Sequence, residues 1–176
     1  MTRSLLASLA TVAGLALALP STGQAQDAAP VANGQKFDNW AVSCNAVAVN
    51  RTSCMLSQQL VRDTDRVFMA EMLALWSGTG DKEYLAARVP LGTYLAAGIA
   101  LRNTGQEDVH ALTWQNCNAR FCEALMELTP ELIEELTSGD GTVIVSYRPQ
   151  ISGEQRVFRF NAKGLQDGLG ALKPTN

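Results

Sequence analysis

The sequence predicts a mainly β fold: a β-sandwich-like single domain with one or two short helices and two local disulfides. Three observations carry this expectation. Beyond residue 35, the 176-residue chain breaks into short runs of strand-preferring residues separated by Gly, Pro, Asn and Asp turns. Four cysteines fall in two close pairs, Cys44 with Cys54 and Cys117 with Cys122. Only two stretches have helical character, Pro130 to Ser138 and the Leu-bearing tail Asn161 to Lys173.

The N-terminus predicts export. Arg3 is the only charge before Asp27, an apolar run extends from Leu5 to Leu19, and Gly23 and Ala25 stand at the −3 and −1 positions of a small-residue cleavage site. The run is shorter than the roughly 18 to 20 residues a membrane span needs. Residues 1–25 are therefore read as a cleaved signal peptide, cut after Ala25. Residues 26–35 are a flexible lead-in and 36–176 the β domain. Only Arg3 of the 14 basic residues is lost on cleavage and none of the 17 acidic ones, so the mature chain is more negative than the whole chain's −3. No basic run survives, which leaves nucleic-acid binding and anionic-membrane binding without an electrostatic footprint. No second apolar span follows, so stable membrane insertion is not expected. The compartment is periplasmic or secreted.

An even number of cysteines in an exported chain reads as disulfides. Four cysteines allow three pairings; Cys44–Cys54 and Cys117–Cys122 are favoured because each is local. Each loop is short, so each bridge contributes on the order of 2 to 3 kcal/mol by the loop-entropy model. Zinc and thiol redox chemistry both want a C-x2-C spacing that neither pair has.

The elements follow in order. Lys36 to Cys44 holds Phe37, Trp40 and Val42 and reads as a strand. Asn45 to Ser53, small and polar, reads as a loop, and Cys54 to Val61 as the next strand. Arg62 to Arg66 is a charged turn. Val67 to Trp76 is apolar on every face with Glu71 its only charge, so periodicity alone does not separate helix from strand; its neighbours favour a core strand. Ser77 to Asp81 is a turn. Glu83 to Val89 is a strand that ends in a type I turn with Pro90 second and Gly92 fourth. Thr93 to Leu101 reads as a strand interrupted at Gly98. Arg102 to Asp108 is a polar turn. Four residues, Asn118 to Phe121, separate Cys117 from Cys122, which suits a hairpin loop. After the return strand, Thr129 is an N-cap, Pro130 the first helical residue, Leu128 and Ile133 a hydrophobic staple, and Gly139 the stop. Thr142 to Tyr147 and the alternating Gln155 to Phe160 are strands. In the tail, Leu165, Leu169 and Leu172 share helical spacing, but three glycines weaken it, so packing has to hold it.

Chemistry is scarce. His110 is the only histidine, and no G-x-S-x-G motif accompanies it. Glu134 and Glu135 point about 100° apart on a helix and do not share one site. Asp63 and Asp65 fail the calcium-loop pattern, because Val67 and Phe68 stand where a ligand and a glycine belong. No phosphate-cradling glycine loop is present. Trp40, Trp76 and Trp114 read as core or hairpin-flanking residues. No catalytic, cofactor-binding or metal-binding residue is assigned, and no cofactor is expected.

Four segments, Phe37 to Cys44 with Cys54, Val89 to Arg102, Trp114 to Leu128 and Asn161 to Leu172, together resemble the invasion-associated locus B family. The likeness covers nearly the whole mature chain and keeps the order of all four segments. Leu165 stands where the family often has an aromatic. The resemblance implies a signal-bearing, mainly β, non-enzymatic protein of alphaproteobacteria, with Cys44, Cys54, Cys117 and Cys122 disulfide-bonded. It implies no catalytic or ligand-binding residues.

The leading functional expectation is an exported envelope protein that binds another protein or a surface component. Its contact candidates are the loops Arg62 to Arg66 and Arg102 to Asp108, with the hairpin tip Asn118 to Phe121. The alternatives are a small-molecule or lipid carrier with a cavity lined by Phe68, Met72 and Trp76, and a periplasmic hydrolase built on His110 or a carboxylate.

Overall fold

The computed structural model describes residues 31–49 and 51–174. The expected signal peptide and residues 26–30 of the lead-in lie outside these. The strands are β1 (Lys36–Phe37), β2 (Trp40–Ala48), β3 (Arg51–Val61), β4 (Phe68–Trp76), β5 (Glu83–Pro90), β6 (Ile99–Asn103), β7 (His110–Cys117), β8 (Phe121–Leu128), β9 (Thr142–Tyr147) and β10 (Arg156–Asn161). The helices are α1 (Pro130–Thr137) and α2 (Leu165–Leu172). All ten strands join one antiparallel sheet in the order β1-β2-β3-β4-β5-β8-β7-β6-β9-β10.

The sheet curls until its two ends face each other. Trp40 on β2 meets Phe160 on β10 edge-to-face, with ring centroids 5.8 Å apart. The Gln58 side chain on β3 donates to the Asn161 carbonyl at 3.1 Å and accepts from the Asn161 amide at 2.9 Å. A side-chain amide thus bridges β3 to the free edge of β10 where no ladder forms. The layers of the expected sandwich are two ends of one sheet, and the mainly β assignment holds.

Alternation sorts the residues. Trp40, Val42, Leu56, Met72, Leu85, Val89, Ile99, Val143 and Val145 point inward and are buried. The ambiguous segment from Val67 is strand β4. Ala70, Met72 and Ala74 face the core, while Leu73 is buried on the opposite face between Ser57 and Ala86. Each face has its own apolar neighbours, which explains a run with no polar side.

The helices shelter the core. Thr129 accepts the Leu132 amide at 3.3 Å, Pro130 opens α1, Ile133 and Leu136 are buried, Leu132 is half-buried, and Gly139 follows at φ 58°. The cap, the opening proline and the closing glycine stand where the local code puts them. Gly164, which caps α2, and Gly168 within it are packing requirements, whereas a Cβ on Gly170 would meet open space. A Cβ on Gly164 would collide with the Phe37 carbonyl, and one on Gly168 would lie 2.6 Å from Leu56 Cδ1. The helix lies directly on the sheet, and Trp76 Nε1 donates to the Leu169 carbonyl at 2.9 Å.

Five expectations change in detail. Residues 33–35 do not hang free: the Gly34 amide donates to Val42, and the Val42 amide to Gln35, each at 2.8 Å. The first strand is split by a turn at Asp38 (φ 51°), with Phe37 opposite Trp40; Asp tolerates this left-handed conformation. The loop expected over Asn45 to Ser53 is a two-stranded ribbon, because pairing with β3 continues to Ala48 opposite Arg51. Pro90 remains in β5 opposite Phe121, and the turn centres one residue later, on Leu91 and Gly92 (φ 87°). Thr93 to Ala97 is not strand: Leu95–Ala97 is a 3-10 turn held by Tyr94 N–H to the Arg148 carbonyl (2.9 Å) and Trp114 Nε1 to the Leu95 carbonyl (3.0 Å).

Candidate functional site

The outer face of the sheet carries a row of three charged residues on adjacent strands. Glu71 on β4, Arg88 on β5 and Glu123 on β8 are direct cross-strand neighbours. Alternation points all three outward. Arg88 Nη1 lies 3.1 Å from Glu71 Oε2 and its Nε 2.6 Å from Glu123 Oε2, with all three side chains about three-quarters or more buried. One guanidinium thus serves two carboxylates, a charge-assisted arrangement that fixes its plane. That plane lies over the Phe121 ring, 4.5 Å from its centroid, and Arg120 approaches the same ring at 5.7 Å.

The disulfide hairpin places Phe121 there. Cys117 and Cys122 are a bonded cross-strand pair, Cα atoms 4.0 Å apart. Asn118 Oδ1 accepts the Arg120 amide at 2.8 Å and the Phe121 amide at 3.1 Å. The tip is therefore closed by its own Asn, and Phe121 is half-buried. Glu71, Arg88, Arg120 and Phe121 line, with Phe68, Gln59, Asn45 and Ser43, a groove of about 570 Å³, open to solvent. A bulge between Leu60 and Val61 in the pairing of β3 with β4 places Phe68 opposite Val61.

The remaining sequence candidates lie elsewhere. Cys44 and Cys54 form the second disulfide, also directly cross-strand. His110 Nε2 is 2.8 Å from Glu135 Oε1, tying β7 to α1. Glu135 is half-buried against it while Glu134 faces solvent, the outcome of their angular separation on the helix. Asn103 Nδ2, buried nearby, donates to the Glu135, Leu136 and Ser138 carbonyls and caps α1. This cluster completes a helix end. Asp65 accepts the Val67 amide and pairs with Arg62 at 3.4 Å within the turn. Trp40 is fully buried, with its Nε1 unpaired among the described residues. Phe68, Met72 and Trp76 do not share a cavity: Phe68 lines the outer groove, Met72 is fully buried, and Trp76 packs on α2. Among the described residues, no three His, Cys, Asp or Glu side chains gather as a metal site, and no helix is long and apolar enough to cross a membrane.

A signal for the ion row was present in the sequence. Glu71 is the only charge in its apolar run, and Arg88 interrupts the apolar end of the strand that follows. Charges inside otherwise buried strands call for each other.

The invasion associated locus B (IalB) protein family model matches residues 40–173. The chain is similar in fold to the crystal structure of invasion associated protein B from Bartonella henselae, with a TM-score of 0.64 and 14% identity over 78% of this chain and 94% of that one. A putative lipoprotein from Staphylococcus aureus aligns at 10% identity over 60% of this chain and 93% of that one, with a TM-score of 0.27, too low to carry any argument. Comparison with curated protein sequences yields no match. The match spans the domain from its first long strand through its last helix, and the chain belongs to the invasion associated locus B family.

Proposed function

We propose that the chain is an exported, non-enzymatic envelope protein that works by binding another protein through the outer face of its sheet. The observation that carries this is the groove at Arg88, Phe121 and Phe68. Aromatic and arginine side chains dominate the energetics of protein contacts. Here they are held in place by an ion row and a disulfide, so little side-chain freedom remains to be lost on binding. Arg120 adds an exposed guanidinium beside a ring already oriented. The two disulfides fit an oxidising compartment, and the mature chain starts at Gln26 in the periplasm or outside the cell. A role in invasion, which the name of the Bartonella protein associates with that protein, applies here only where the source is a pathogen.

In-cell photo-crosslinking tests the reading. A crosslinking amino acid placed at Asn118 captures a discrete protein, and the capture is lost in Arg120→Ala/Phe121→Ala. The same amino acid placed at Glu134 on α1 captures none. Identical products from both positions, or none from Asn118, would count against the face.

A further inference from the structure

The end of the curled sheet where β5 and β9 terminate holds a second depression, which meets the Arg88 groove only at Phe68. Tyr147, the last residue of β9, points inward and is only 4% exposed, packed edge-to-face on Phe158 at 6.4 Å. No described residue hydrogen-bonds its hydroxyl, and that oxygen is not sealed from solvent. It opens where the chain leaves room. A depression of about 240 Å³ runs from Tyr147 between Phe68, Met69, Pro90, Leu91 and Pro149. A neighbouring one of about 220 Å³ shares Met69, Tyr147 and Arg156 and continues along Val157 and Phe158.

Arg156 is the cross-strand partner of Tyr147 and flanks both depressions. It makes no ion pair among the described residues, whereas Arg62 on the opposite rim is engaged by Asp65. Burial raises the Tyr147 hydroxyl above its ordinary pKa, and Arg156 pulls in the opposite direction, which places the guanidinium within electrostatic reach of that oxygen. The walls are largely apolar; Arg62 is engaged by Asp65 and the Thr93 hydroxyl donates to the Pro90 carbonyl, which leaves the Tyr147 hydroxyl and the Arg156 guanidinium, with no carboxylate in the lining. A sugar or nucleotide would bury hydroxyls that these walls leave unpaired. A peptide would bring an amide at every residue, and Pro90 and Pro149 have no N–H to offer.

We infer that this depression binds a single acyl chain ending in an anion, with the chain along Phe68, Met69 and Leu91 and the carboxylate or phosphate held by Arg156 and the Tyr147 hydroxyl. The site meets the protein-contact groove at Phe68, which lines both, while its headgroup end at Arg156 and Tyr147 lies outside that groove.

The test is titration of the mature protein, by calorimetry or NMR, with dodecanoate and dodecyl phosphate kept below their micelle-forming concentrations. Dodecanol, dodecyltrimethylammonium and acetate are the controls. Dodecanoate or dodecyl phosphate binds, with the two arms distinguishing the headgroup. Dodecyltrimethylammonium and acetate bind at least about tenfold more weakly. Arg156→Gln weakens the anion about tenfold and leaves dodecanol unchanged, and Tyr147→Phe weakens it a few-fold. Arg156 is exposed and Tyr147→Phe preserves the ring, so both variants fold. Arg120→Ala leaves the affinity unchanged, which separates this site from the outer groove. The inference is overturned if nothing binds, if dodecanol or the cation binds as well as the anion, if acetate alone competes, or if Arg156→Gln has no effect. Binding to phosphatidylglycerol vesicles without binding to the monomeric amphiphiles also overturns it.

Discussion

The two disulfide hairpins have the same covalent staple and opposite surroundings. Beyond the level of Cys44–Cys54, the β2–β3 ribbon leaves the body of the sheet. β4 ends at Trp76, level with Cys54, so among the described residues no third strand lies beside 45–49 and 51–53. Val47 is 52% exposed and Val49 92%. The Cys117–Cys122 hairpin instead sits in the middle of the strand order, flanked by β5 through its last residues, Val89 opposite Cys122 and Pro90 opposite Phe121. Its tip is closed by Asn118, and its aromatic lies beneath Arg88. A disulfide fixes a hairpin's register, but neighbouring strands and side chains decide whether the tip is anchored. An isolated two-stranded ribbon is marginal in water, so the first hairpin depends on its bridge more than the second does.

The sharpest way to break this contrast is to remove the bridges one at a time. Cys44→Ala/Cys54→Ala is expected to cost about 3 kcal/mol in urea unfolding, as its longer loop requires. Amide exchange over residues 45–53 then rises to nearly unprotected rates. Cys117→Ala/Cys122→Ala costs about 2 kcal/mol, and the amides of β8 stay protected by β5. Equal loss of protection in both variants would erase the distinction. Third in size is Arg88→Met, which leaves Glu71 and Glu123 facing each other without their cation. A cost of about 1.5 kcal/mol is expected from these partly exposed groups. Adding Glu71→Gln and Glu123→Gln recovers part of it, readable in the same unfolding curves. Smallest is Val47→Ser/Val49→Ser: because both side chains already face water, stability stays within about 0.5 kcal/mol. A larger drop would mean that the ribbon packs against something in solution.

The legible parts of the fold were those written locally. Thr129, Pro130 and Gly139 mark α1 within ten residues of one another, and Asn118 sits between paired cysteines. Asn45, Ala46, Ala48 and Asn50 have weak strand propensity and read as a loop; pairing of β2 with β3 across the disulfide overrides it. Thr93 to Ala97 looked like strand from Tyr94 and Leu95, yet tertiary bonds from Trp114 and Arg148 wind it into a turn. The outer groove was illegible for a different reason. Glu71, Arg88 and Glu123 are brought together by strand register, and β5 pairs with β8 across an intervening excursion through β6 and β7 that no local pattern announces. The hairpin tip 118–121 was expected to be free; instead, Phe121 is held down by Arg88.

The bridge from Gln58 to Asn161 has a consequence in time as well as in space. Its partners are 103 residues apart, and the Phe37 carbonyl waits for Gly164. Contacts of such long sequence separation are slow to form. A chain delivered from its N-terminus would therefore display the inner row of β3 and β4, Leu56, Met72 and Ala74, before β10 and α2 arrive to cover it. In the oxidising compartment proposed above, Cys44 and Cys54, only 10 residues apart, would meet an oxidant before then. The early bridge fixes register on a half-built sheet, and the last dozen residues close it. Truncating α2 would thus leave a long-lived, sticky intermediate whose first disulfide is already made.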